Sequence, residues 1–559
     1  MNAHTRFARF SAVAATITLV VTGCQAPGRG EAGRGAAAPL FNGMGDHHRA
    51  VTTQSRLAQR YFDQALTWAY AFNHDEAIRS FEAAGALDPD CAMAWWGAAL
   101  CHGPHINNSL MTEAHQRGAW DSLQKALAAR NKSSPIEREL IDALAKRYAN
   151  PAPADRAPLD RAYAEAMAAV WKAHPDDADV GTLYAESLMD LQPWDLWTQA
   201  GEPKGATPEI VSVLERVLSL NPLHPGANHL YIHTVEASPQ PQRGIAAADR
   251  LRAMVPIAGH LVHMPAHIDV RVGQWAQASE ANERAIKADE RYRRISPQQD
   301  FYRVYMAHNH QFLAFASMME GRRAVALSAA RAMIAGVPEV YARQNAVMVD
   351  GYLPIALEAM MRFGLWDEIL AEPQPPAYLP IYTAFWRFTR GVAQAAKGRV
   401  EDAQREQAEF RKIVAQIPQD ALMAINPAHK VLSIADHVLA GEIALRRGQI
   451  DEAVSQLQAG VKVEDDLLYM EPPDWIQPLR HTLGAVLVSA GRFKDAEPVY
   501  REDLRRWPEN GWSLYGLAEC LKSRGADAEA AEVERRFKKA WSRADTQIKS
   551  TCLCVSRGD

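Results

Sequence analysis

Cysteine is scarce, 6 in 559 residues. Apart from Cys24, which closes the N-terminal apolar run, there are Cys91, Cys101, Cys520, Cys552 and Cys554, which are odd in number and far apart. Such a set implies no disulfide framework, even in an oxidising compartment. The Cys552-Leu553-Cys554 stretch reads as part of a frayed tail, with a bridge to Cys520 as the minor alternative. Excess basic charge is also missing: Lys and Arg number 61 against 66 Asp and Glu, a formal charge of -5. Removing residues 1–23, which hold two Arg and no acid, takes it from -5 to -7. No nucleic-acid partner is expected, because the basic footprint such binders need is absent. Strand signals are nearly absent too. There is no Gly-x-Ser-x-Gly elbow, phosphate loop, dinucleotide fingerprint or Cys-x-x-Cys-His haem motif, which removes the common hydrolase, nucleotide and c-type haem readings.

The one strongly apolar run is at the start. Arg6 and Arg9 precede an uncharged stretch from Phe10 to Val21, a layout of secretory-signal length that is too short for a membrane span. It ends in Val21-Thr22-Gly23-Cys24, which resembles the bacterial lipobox. That resemblance implies a signal peptide over residues 1–23, cleavage before Cys24 and diacylation of its thiol. Two or three acyl chains suffice for stable anchoring, where one would bind reversibly. Gln25 rather than Asp after the cysteine implies an outer-membrane, periplasm-facing location in the cell envelope. Residues 24–45 then form the lipidated cysteine and a Gly-, Ala- and Pro-rich flexible tether.

The body carries a repeat. In a 34-residue window beginning at Ala58, small residues fall at Ala65 and Ala77, Phe81 and Ala84 follow, and Pro89 closes the unit. The frame from Gln477 has Gly484, Gly491, Ala496, Tyr500 and Pro508; that from Ile434 has Gly441, Gly448, Ala453, Leu457 and Gly460. Frames near Pro225, Gly259, Ala307, Asp350 and Ala384 keep several of these marks. The pattern resembles the tetratricopeptide repeat, with small residues where two helices touch, a Gly turn and an aromatic anchor. The resemblance implies an all-α fold, a tetratricopeptide α-solenoid built as a superhelix of antiparallel helix pairs around a concave groove. The expected organisation is N-terminal repeats with an irregular insertion over 46–224, histidine-rich repeats over 225–345, C-terminal repeats over 346–545 and a tail over 546–559. Four stretches interrupt the period, 192–207, 293–306, 372–380 and 469–475. Each reads as Pro-Trp packing at helix ends or as a cap over the groove.

Histidine is the residue that clusters. Of 19 in the chain, eight lie between His224 and His310: His224, His229, His233, His260, His263, His267, His308 and His310. At about 100° per residue, His229, His233 and Glu236 share one helical face. His260, His263 and His267 share another if Pro265 does not break that helix. His229 and His263 are each the fifth residue of their repeat frame, His233 and His267 each the ninth. Equal positions in adjacent repeats lie side by side, so these four are expected to ligate one metal centre. Glu236, His260, His308 and His310 are the additional or supporting ligands. Imidazole donors suit a transition ion such as copper, zinc or iron, whereas calcium and magnesium take oxygen shells. His229-x3-His233 lacks the Glu of the zincin motif, and no catalytic residue is named.

Several stretches (residues 72–77, 228–236, 259–268, 308–310 and 471–475) are similar to those of a set of histidine-rich bacterial tetratricopeptide proteins with no assigned reaction. The expected function is therefore an envelope lipoprotein whose groove binds a transition metal, as a metal-handling protein or metalloenzyme. The alternative is a scaffold holding a peptide or protein partner for envelope assembly, without metal. A ligand-free structural role leaves the histidines unexplained.

Overall fold

The computed structural model describes residues 38–555 apart from residue 298. The signal segment, Cys24 and residues 25–37 of the tether lie outside the described residues. From Arg56–Tyr70 with His74–Leu87 to Gly511–Ser523 with Asp527–Ala540, antiparallel helix pairs stack in sequence order. A two-residue antiparallel pairing of Leu422–Met423 with Asn426–Pro427 is the only sheet among the described residues. The protein is an all-α, tetratricopeptide-type α-solenoid. No helix among the described residues is long and apolar enough to cross a membrane.

Local chemistry sets the repeat. Several first helices start on side-chain caps: Ser55 accepts from the Ala58 N–H, Asp177 from Val180 and Asn510 from Ser513, each satisfying a donor the helix cannot satisfy itself. Seven pairs then turn on a glycine two residues ahead of the second helix. Gly273, Gly321, Gly364, Gly398, Gly448, Gly491 and Gly525 sit there with φ from 66° to 79°, a region that penalises a Cβ. Small residues allow close helix contact, as where a Cβ added to Gly484 would collide with the Tyr500 ring. Such overpacking typically costs about 1–3 kcal/mol.

The superhelix winds tightly enough to touch itself. The Trp512 indole N–H donates to the Met318 carbonyl at 2.9 Å, and that of Trp275 to the Pro508 carbonyl at 2.9 Å. From the other end, the Glu76 carboxylate accepts from the Tyr292 and Ser296 hydroxyls at 2.9 and 2.7 Å. First and last repeats thus both close on the middle ones, and the expected open groove is filled around the histidines. Two other expectations are corrected. The end of the tether is packed: Phe41 is buried against Trp68, its N–H donates to Gln64 Oε1 at 2.8 Å, and residue 43 lies against Pro256. A Gly- and Pro-rich composition concealed one aromatic anchor. Nor is the tail frayed as far as residue 555. Thr551 donates to the His481 carbonyl at 2.7 Å, Cys552 and Cys554 are bonded to each other, and Cys520 is buried as a free thiol.

Candidate metal centre

The helix Pro225–Glu236 begins on His224, whose Nδ1 accepts from the Ala227 N–H at 3.1 Å, and Pro225 presets its first turn. One turn separates His229 from His233, and their ring centroids are 4.9 Å apart. In the next repeat Pro265 divides Gly259–His263 from Pro265–Arg271, yet Met264 between them keeps helical dihedrals, φ -49° and ψ -37°. Proline at a first helical position removes a donor that has no partner anyway, so His260, His263 and His267 stay on one face. Arg303–Met319 contributes His308.

These residues form two adjacent triads, His229 with His233 and His260, and His263 with His267 and His308. The candidate ligand atoms of each triad all lie within 4.8 Å of one another. The triads share a border where the His233 and His267 rings are 5.5 Å apart and the His260 and His263 rings 5.8 Å. Five of the six are at most 3% exposed, and the His308 ring packs on His263 at 4.8 Å. His310 does not join them: its imidazole faces Glu290 and Arg293. Glu236 sits in neither triad but behind both, grouped with His267 and Glu471.

Ring-nitrogen partners show how the triads are aimed. Nδ1 of His229 donates to the Tyr70 carbonyl at 2.7 Å, that of His233 to Glu236 Oε1 at 2.9 Å, and that of His263 to Asn282 Oδ1 at 2.8 Å. Asn282 is oriented in turn, since its amide donates to the Ala278 carbonyl at 2.8 Å. His308 Nδ1 lies 3.3 Å from Gln311 Oε1. His267 Nδ1 is 2.5 Å from Glu236 Oε2 and 3.2 Å from Glu471 Oε2, ion-pair distances whose angles fall short of hydrogen bonds. With Nδ1 so engaged, Nε2 is the remaining donor atom of five imidazoles. Two pairs of Nε2 atoms face each other, His229 with His260 at 3.1 Å and His263 with His267 at 2.9 Å. His233 Nε2 and His260 Nδ1 are buried without a hydrogen-bond partner.

Burial disfavours charge here. It holds His229, His260 and His263 well below the usual imidazole range, helped by neighbouring imidazoles, and takes His308 down to about 3. These rings are neutral donors at pH 7. His267 is the exception: burial opposes its charge, but Glu236 and Glu471 outweigh it and raise it to about 10. Glu236, despite burial, is pulled down to about 2 by His267 and His233. Burial lifts Glu471 to about 8 against the pull of His267. A proton on His267 Nε2 therefore occupies the 2.9 Å gap to His263.

Three of the four interrupting stretches cover the site. Trp194 packs edge-on to His233 at 5.0 Å, Tyr305 on His260 at 4.3 Å, and residues 469–475 bring Glu471. The Pro-rich stretch 372–380 stays apart; Glu372 pairs with Arg331. Glu471, Phe72, Asn282 and Tyr70 also belong to this site, and of these only Glu471 and Phe72 fall in stretches, 471–475 and 72–77, that the sequence marks out. Two further groups of possible ligands are already occupied. Asp179, between His47 and His224, also accepts from Tyr70 and pairs with Arg49, and the thiols beside Glu442 form the Cys552–Cys554 bond.

No family model and no curated protein matches the chain. Among solved structures, the human IFIT1 dimer with m7Gppp-AAAA is similar at 14% identity, covering 88% of this chain and 91% of that one, with a TM-score of 0.33. The APC/C hetero-tetramer Cut9-Hcn1 is similar at 12% identity over 86% and 76%, with a TM-score of 0.32. A likeness at that level bears on neither the site nor its partners.

Proposed function

We propose that the two triads hold a pair of first-row transition ions, and that the protein is an envelope-anchored metalloprotein whose buried centre acts on a small ligand. One observation carries this reading: four imidazoles are hydrogen-bonded through Nδ1 to carbonyl or carboxylate groups, and Nε2 atoms of neighbouring rings face each other in two pairs. That is the outer-shell arrangement of histidine metal ligands. The gaps of 2.9 and 3.1 Å between facing Nε2 atoms suit it too. Two nitrogens bound to one ion at about 2.0–2.1 Å stand roughly 2.9–3.4 Å apart. The sequence frame placed His229, His233, His263 and His267 around one ion; the geometry favours two sites, completed by His260 and His308.

All-imidazole donor sets select copper, zinc, iron or nickel over calcium and magnesium, with copper bound most tightly of the divalent series. Three protein ligands per ion leave a position open, which separates catalytic from closed structural sites. Bound by these residues, such ions would supply Lewis-acid polarisation of a small ligand or hydroxide near neutral pH. Glu236, ionised and fully buried, would provide countercharge to a bound ion, as it does to the His267 proton in the metal-free protein.

Binding is expected to raise the melting temperature while the far-UV spectrum stays helical, because repeat packing supplies the core. At free zinc of 100 times Kd, one site adds about 2.7 kcal/mol. A melting temperature unmoved by zinc, copper and iron would remove the reading. Anchoring rests on the lipobox at Cys24: Cys24→Ala should lose acyl labelling and membrane fractionation, and retention of both would contradict it.

A further inference from the structure

The first repeat has the turn position of those seven pairs but not the glycine. Where seven pairs carry a positive-φ glycine, the equivalent residue ahead of His74–Leu87 is Phe72, with φ 54°. A bulky residue in that region is strained, and strain of this kind persists where the surroundings need the side chain. The surroundings of the ring show the need. Its centroid is 4.5 Å from both His229 and His105. It stacks on His260 at 5.8 Å and on His233 at 6.3 Å, so it covers all three members of the first triad.

Beyond Phe72 lies a pocket of about 390 Å³, counting its open mouth, lined in part by His74, Asp75, His102, His105 and His115. His102 and His115 are partly exposed and mark the mouth, with Nδ1 atoms 3.1 Å apart. At the floor the His74 and His105 rings are 4.5 Å apart, and His105 is 3% exposed. His74 donates through Nδ1 to the Cys101 carbonyl at 3.0 Å, which reserves Nε2 as a donor atom. A line of imidazoles thus runs from solvent to the buried triads, interrupted by one phenyl ring.

We propose that this pocket is the loading site for the metal centre and that Phe72 is its inner door. A hydrated transition cation would exchange water for the His102 and His115 imidazoles, with the Asp75 carboxylate offsetting its charge. It would then move to His74 and His105 and enter the first triad when the Phe72 ring swings aside. The inference rests on the metal reading of the centre.

Phe72→Gly installs the residue the other seven turns use, so the helical spectrum should be kept. In metal-free protein, diethyl pyrocarbonate should modify His229, His233 and His260 about tenfold faster or more, since protection of a buried site scales with how seldom it opens. Zinc uptake, and zinc removal by a chelator, should accelerate similarly with the number of bound ions unchanged. His102→Ala with His115→Ala should slow zinc uptake and leave modification of the inner histidines as in wild type. Equal modification and exchange rates in wild type and Phe72→Gly, with zinc bound by both, would overturn the door while leaving the metal centre standing. Zinc bound by neither protein would overturn the loading role together with the metal reading.

Discussion

His260→Ala and His308→Ala are each expected to leave one ion bound per chain, and the double variant none. These two residues are the cleanest to remove. His260 holds His229 through Nε2 while its Nδ1 has no hydrogen-bond partner, and the Nδ1 contact of His308 is Gln311 at 3.3 Å. Neither removal strands a buried charge. Losing one of three ligands should weaken its ion by more than the roughly 10–100-fold that outer-shell changes cost. The cavities left behind cost roughly 2–5 kcal/mol each, in a fold whose stability is spread over many repeats. Metal content after dialysis against a weak chelator reads the result directly. His429→Ala with His437→Ala is the control, since those rings face the Ile417 carbonyl and Gln456, outside the triads. If either single variant lost both ions, the six histidines would form one indivisible centre and the division into triads would be wrong.

The second large effect belongs to Glu236. It is fully buried, accepts from His233 at 2.9 Å and pairs with His267 at 2.5 Å. Glu236→Gln leaves the His267 imidazolium with Glu471 alone, and breaking one partner of a buried pair costs about 3–5 kcal/mol. The pH dependence has a definite sign. His267, raised to about 10, contributes stability that is complete below its unfolded value of about 6.5 and is lost as pH rises through about 10. Glu236, lowered to about 2, contributes stability that is complete above about 4.5 and is lost as pH falls through about 2. The metal-free variant should therefore fall furthest below wild type near pH 5–6, and the gap should narrow toward pH 10. Thermal melts across that range check it. A gap that widens with pH would show that Glu236 does not pair with a charged His267.

What was legible in the chain was local. Four-residue spacing and equal offsets in neighbouring repeats placed His229, His233, His263 and His267 on facing helices, because helical period and repeat stacking are short-range rules. His260 followed from sharing a face with His263. His310 could not be told from His308 by sequence, since two residues turn a helix by about 200° and nothing local says which of the two faces inward. The contacts that finish the site depend on curvature. Glu471 meets His267, and the Tyr70 carbonyl meets His229, across separations of 204 and 159 residues. Such contacts follow from the accumulated twist of many repeats, which no single frame contains. The turn residue Phe72 was readable as an exception only once seven positive-φ glycines marked the rule.

The central claim is that these six histidines hold two transition ions. Elemental analysis of the purified chain, beginning at residue 38 and refolded with excess zinc, then copper, then iron before exhaustive dialysis, tests it most directly. Two equivalents of at least one metal per chain is the expected result, falling to none in His260→Ala with His308→Ala. A wild-type chain without bound metal after all three treatments would contradict it, and the solenoid would then be a scaffold for a peptide or protein partner.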